Sequence, residues 1–243
     1  SDMAVGAARV FGVRLPVNFF SPYKSTSIIE FWRRWHITLS RFLRDYLYIG
    51  LGGNRKGRCR RYVNLLLTMV LGGLWHGAGW PFVVWGGLHA IYLVINHAWR
   101  SLLRRTGMNL SASVLYQRLC WLVTFNAVVF AWVYFRAPTL EKGNSIILAM
   151  LGASGFEVPK GILARVGEFS AVLEAAGVGS SFGGGAVLMT NVLWIVFAGT
   201  IALLTPNVAQ LFSKVDPVLY ENDHVFRNTR SVSRMRWRYS SLW

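Results

Sequence analysis

Residues 62–99 contain no Asp, Glu, Lys or Arg. Crossing a bilayer takes about 20 mostly apolar residues, and this run is long enough to do so twice. Pro81 lies near its middle and marks a tight turn. The run therefore reads as two spans, 62–80 and 82–99, forming a helical hairpin. Two further apolar windows follow at 119–135 and 186–204. The expected fold class is all-α, a polytopic transmembrane helical bundle.

Composition then decides what the charge means. The chain is 53% hydrophobic with a formal net charge of +16. In a soluble protein that charge would point to nucleic acid, but such a reading needs a polar surface that long parts of this chain lack. No nucleic-acid partner is expected. The charge works instead as a topology signal. With four spans, the basic segments 24–61, 100–118 and 207–243 fall on one side, and 136–185, where four Lys/Arg meet four Glu, falls on the other. The positive-inside rule puts the basic segments in the cytoplasm and makes 137–185 an extracytoplasmic loop. Cys59 and Cys120 show no metal or disulfide spacing and read as free thiols, so no metal site is expected.

Residues 24–50 read as a cytoplasmic interface helix. Ser27 and Glu30 fit a capping box, with Glu30 returning a bond to the Ser27 amide. Ile28, Trp32, Trp35, Leu39, Phe42 and Tyr46 recur at helical spacing, with Arg33, Arg34, Arg41 and Arg44 largely between them. Such a helix lies at the interface or dips into it. Ahead of it, residues 1–23 read as a helix end and a turn. Beyond the third span, Leu163, Val166, Phe169, Val172 and Leu173 alternate with Arg165, Glu168 and Glu174 as a second surface helix. Residues 180–185 read as a flexible linker, and the Arg-rich tail 223–243 as an arm on anionic lipid. No carboxylate pair, P-loop or dinucleotide fingerprint occurs. Glu141, Glu157, Glu168 and Glu174 read as solvated charges.

Five histidines remain. His76 lies in the outer half of the first span, where an ionisable side chain is costly and points to function. Gly72, Gly73, Gly79 and Trp80 share its helix face, and the glycines also suit close helix packing. His36 stands at a boundary position on the interface helix, with Trp32 and Ser40 a turn away. His89 and His97 lie on one face of the second span, the latter at its cytoplasmic end. His224 carries no assignment.

The stretch "SPYKSTSIIEFWRRWHITLSRFLRDYLYIGLGGNR" followed by "VLGGLWHGAGWPFVVWGGLH" resembles the membrane-bound O-acyltransferase superfamily, in particular its alginate O-acetylation branch, with the D-alanyl transfer protein of teichoic acid synthesis as a relative. The resemblance is specific over residues 1–100 and mostly topological beyond. It implies that 1–243 is the C-terminal part of one such membrane domain, in a bacterial inner membrane. It assigns His76 as the catalytic histidine and His36 as the second catalytic position. Trp32, Arg33, Arg34, Gly72, Gly73, Trp75 and Trp80 become the expected substrate-contacting residues. The implied reaction moves an acyl group, acetyl above all, from a cytoplasmic thioester across the membrane to an exopolysaccharide such as alginate. Acetyl-CoA is the expected donor, with no bound cofactor. Membrane lipid and an extracytoplasmic acyltransferase or polysaccharide-modifying protein are the expected partners. The alternatives are a haem-binding electron-transfer subunit, with His76 and His89 as axial ligands, and a transporter or structural subunit.

Overall fold

The computed structural model describes residues 1–212 apart from Val166, Glu168, Phe182 and Gly183. The tail, His224, two residues of the second surface helix and two of the linker thus lie outside the described residues. Eleven α-helices occur among those described: α1 (Asp2–Val10), α2 (Ile28–Arg34), α3 (Ile37–Phe42), α4 (Gly57–His76), α5 (Trp80–Thr106), α6 (Val114–Arg136), α7 (Leu140–Met150), α8 (Lys160–Leu163), α9 (Phe169–Ala175), α10 (Gly185–Leu204) and α11 (Val208–Leu211). A 3-10 turn, Pro22–Lys24, precedes α2, another, Leu110–Ala112, precedes α6, and a π turn, Leu43–Tyr48, extends α3.

Of these, α5, α6 and α10 are long and apolar enough to cross a membrane. The first expected span falls on α4, which is 20 residues long but opens with arginines and ends at His76. Its apolar part is shorter than a bilayer, and residues 77–79 turn the chain before α5 begins at Trp80. Pro81 sits in the first turn of α5, where its missing amide costs nothing, and Gly107 ends the helix with φ +67. Exposed Trp80 and Trp99 bracket the uncharged part of α5, roughly 28 Å apart at 1.5 Å per residue. That distance matches the hydrocarbon layer, with a ring at each interface.

Two glycines set the α4–α5 approach. A Cβ on Gly73 would strike the Phe82 carbonyl oxygen, and one on Gly86 the Met69 carbonyl oxygen. The backbones therefore touch, as small residues allow in helices that gain nothing from hydrophobic exclusion. At the opposite end of this antiparallel pair Arg61 Nη2 lies 2.9 Å from His97 Nδ1. α6 packs on α5, and its first turn, capped by Ser113, brings the Tyr116 hydroxyl to 2.8 Å from Trp99 Nε1. α10 ends beside the 3-10 turn, where Lys24 Nζ donates to the Thr205 carbonyl at 2.7 Å. Burial and the nearby Arg34 guanidinium hold the Lys24 ammonium below its ordinary range.

Residues 24–50 are not one helix. The chain breaks at Trp35–His36, where His36 takes a left-handed conformation, φ 42 and ψ 55. Ile28, Trp32 and Leu39 are buried, but Phe42 and Tyr46 are exposed, so the expected single apolar stripe is interrupted. Ser27 caps Glu30 as expected, but Glu30 turns to the Thr26 amide and hydroxyl, at 2.9 and 3.0 Å, rather than to the Ser27 amide. The second surface helix is likewise divided into α8 and α9. They lie between β1 (Phe156–Pro159) and β2 (Val178–Ser181), which pair in parallel from Phe156–Val178 to Pro159–Ser181.

Candidate active site

α2 descends into the bundle instead of lying flat. Its start is at the basic end, where Arg100 Nη2 donates to Ser27 Oγ at 3.2 Å. One turn on, Trp32 packs its ring 5.1 Å from His89 and 5.9 Å from Trp85. Trp35 then reaches Trp132 of α6, with ring centres 4.9 Å apart. These contacts step progressively away from the basic end, and the helix stops where His36 begins.

Irregular backbone within a membrane needs its polar groups satisfied by protein. Here residues 18–20 supply the partners. The Phe20 amide donates to the Arg34 carbonyl and the Ile37 amide to the Asn18 carbonyl, each at 2.9 Å. Asn18 Oδ1 also accepts from the Thr38 amide and hydroxyl, at 3.2 and 3.0 Å, and so caps α3. The Phe19 ring lies 5.7 Å from His36. It also lines an open cavity of about 320 Å³ with Asp2, Val5, Asn18 and Asn207. Sequence reasoning missed Asn18, which falls in a segment read only as a turn.

The break brings His36 within electrostatic reach of His76, forty residues on. His76 is the last residue of α4. Its ring makes edge contacts with Trp75 at 5.1 Å, Phe135 of α6 at 5.1 Å and Trp85 of α5 at 5.4 Å. Trp85 also lies 4.9 Å from His89. It is thus in contact with two imidazoles. His89 is fully buried, stacked on Phe31 at 6.0 Å, and neither ring nitrogen has a partner among the described residues. Nδ1 of His36 is buried and has no partner among the described residues either.

The other expected site residues separate into two groups. Trp32 is buried beside His89, and Trp75 touches His76. Arg33 is exposed, whereas Arg34 is engaged by Glu30 at 2.7 Å with only 15% of its side chain exposed. Gly72 faces the Leu43 side chain and Gly73 the α5 backbone, so both serve close packing. Trp80 is 70% exposed at the far rim. The arrangement sets His76 among the rings of Trp75, Trp85 and Phe135, with His36 within electrostatic reach. Such aromatic walls exclude bulk water, and an imidazole there can accept a proton from a hydroxyl.

The family model for membrane-bound O-acyltransferases matches residues 1–136. The chain is 48% identical over 154 residues to a peptidoglycan O-acetyltransferase of Helicobacter pylori, covering 63% of this chain and 28% of that protein. It is 51% identical over 150 residues to a probable alginate O-acetylase of Pseudomonas aeruginosa, covering 62% and 27%. A teichoic acid D-alanyltransferase of Streptococcus thermophilus is 36% identical over 106 residues, covering 41% and 26%. The matches thus span under a third of each relative's length. Both histidines, the re-entering α2 and the α4–α5 hairpin lie inside the matched region, and the chain belongs to the membrane-bound O-acyltransferase family.

Proposed function

We propose that this chain carries the acyl-transfer histidines of a membrane O-acyltransferase, with His76 as general base and His36 as its partner. The observation that carries the reading is the ring-walled position of His76 at the end of α4, with His36, at a left-handed break, within electrostatic reach of it. In the reaction, a hydroxyl oxygen of the acceptor attacks the thioester carbonyl while His76 Nε2 or Nδ1 takes its proton. The carbon–sulfur bond then breaks, and the leaving thiolate recovers the proton. An imidazole titrates in the range that lets it act in both steps. The basic end faces the cytoplasm in this reading and meets an anionic thioester such as acetyl-CoA. The attacking hydroxyl belongs to an extracytoplasmic partner protein or to the polymer itself, and the acyl group ends on a polymer of the envelope or exopolysaccharide at a bacterial inner membrane. The relatives named for peptidoglycan, alginate and teichoic acid support an envelope or exopolysaccharide acceptor and do not choose among these polymers. Trp85, in contact with both His76 and His89, offers no support to the alternative of paired haem ligands.

The test uses membranes holding the complete protein and acetyl-CoA labelled in its acetyl group. Label is expected in polymer or partner with the wild type and at background with His76→Ala, at equal protein levels. Equal labelling in the two would exclude His76 from the chemistry.

A further inference from the structure

Residues 51–136, which hold α4, α5 and α6, contain ten Lys/Arg and no Asp or Glu. Four basic side chains of this unit gather at one point. Arg61 of α4 is bonded to His97 Nδ1 at 2.9 Å, and Arg100 and Arg104 of α5 both act electrostatically on the same imidazole. Arg61 and His97 are half-buried, while Arg100 and Arg104 are exposed at its rim. A guanidinium that donates to a neutral ring nitrogen keeps its full charge, and the bond leaves Nε2 as the donor side of the ring. The neighbouring acid, Glu30 of α2, is committed to Arg34 and Thr26. Arg100 spends one nitrogen on Ser27, leaving others of its five donors.

The depth of the cluster narrows what neutralises it. Trp99, between His97 and Arg100, bonds Tyr116 at 2.8 Å and lies at the aromatic rim of the bundle. That rim is the level of lipid phosphates. Phosphate oxygens match both the forked donors of arginine and a ring N–H.

We infer that Arg61, His97, Arg100 and Arg104 form a binding site for a phosphate group at the basic interface. The lipid source is independent of acyl transfer, whereas the soluble source rests on that reading. The phosphate has two possible sources, an anionic phospholipid headgroup and a soluble phosphorylated cofactor, which share the same chemistry.

The experiment takes the complete protein in neutral detergent, stripped of lipid. Phosphatidylglycerol in mixed micelles and coenzyme A are titrated separately, and retained ligand is counted by native mass spectrometry. Wild type is expected to hold one phosphatidylglycerol, with coenzyme A as the ligand if the soluble source is the right one. Arg61→Gln with Arg104→Gln should weaken that binding by about tenfold or more, since each substitution removes a charge-assisted bond. Arg136→Gln, at the other end of α6, should leave it unchanged. Thermal unfolding identifies any variant that fails to fold, and the single variant Arg104→Gln, exposed near the end of α5, then replaces the double one. No saturable binding of either ligand, or binding equal in wild type and a folded variant, would overturn the site.

Discussion

Asn18 holds Thr38 by two bonds to one oxygen, the Thr38 amide at 3.2 Å and its hydroxyl at 3.0 Å, across twenty residues of chain. The start of α3 is thereby fixed, and with it the left-handed turn at His36. We predict that Asn18→Ala lowers stability by about 1–2 kcal/mol, the usual cost of a lost N-cap. Acyl transfer should fall further than stability, because His36 loses its frame. Asn18→Asp keeps the acceptor and should restore most of both. Thermal unfolding and labelling of the same preparations check this; equal activity in Asn18→Ala and wild type would count against it.

His36 itself separates backbone from side chain. A positive φ is tolerated by glycine but costs an ordinary residue about 1 kcal/mol. His36→Gly should therefore be at least as stable as His36→Ala in unfolding assays, yet equally inactive if the imidazole is what matters. An active His36→Gly protein would show that the turn, not the ring, is required.

The α4–α5 hairpin contains its own control. A Cβ at Gly73 or Gly86 meets carbonyl backbone on the facing helix, whereas one at Gly87 meets nothing within 4 Å. Gly73→Ala and Gly86→Ala should each cost about 2 kcal/mol or more through overpacking. Gly87→Ala should be neutral or stabilising. Melting temperatures of the three in one detergent decide the matter, and three equal values would refute the close approach.

Trp85 is 2% exposed and touches both His76 and His89. Its truncation to Ala should cost about 3–5 kcal/mol, in the range for large aromatic cavities. Trp85→Phe keeps most of the wall and should fold, with a smaller loss of label transfer than His76→Ala. A Phe variant as inactive as His76→Ala would give the indole a direct chemical part.

The long helices were legible because nothing in a run without charge competes with helix formation in lipid, and Pro81 lies just past the turn at 77–79 between two of them. His76 was legible for the same reason, an ionisable group where such groups are costly. The break before α3 was hidden. Ile28, Trp32, Trp35 and Leu39 keep helical spacing straight through it, and the local hint was only the β-branched pair Ile37–Thr38 after His36. What decides the break is tertiary: Asn18 and Phe20 offer the backbone better partners than the next helical turn. No periodicity in residues 1–23 could announce that. Glu30 was likewise drawn to Thr26, a choice between two amides one residue apart. The β1–β2 pair was beyond reading, because "FEVP" and "VGSS" are four residues each and one has Gly and Ser where strands usually carry β-branched side chains.

α4 runs from Arg61 at the basic rim to His76 at its end, roughly 22 Å at 1.5 Å per residue. The helix therefore acts as a ruler. For a donor whose charged body stays at the basic rim, the acyl carbon meets the imidazole only at the end of a flexible arm of about that reach. Selection of the donor then becomes a question of tether length before it is one of acyl chemistry. In the proposed reaction, a short-armed thioester would not bring its carbonyl to His76, however reactive it is.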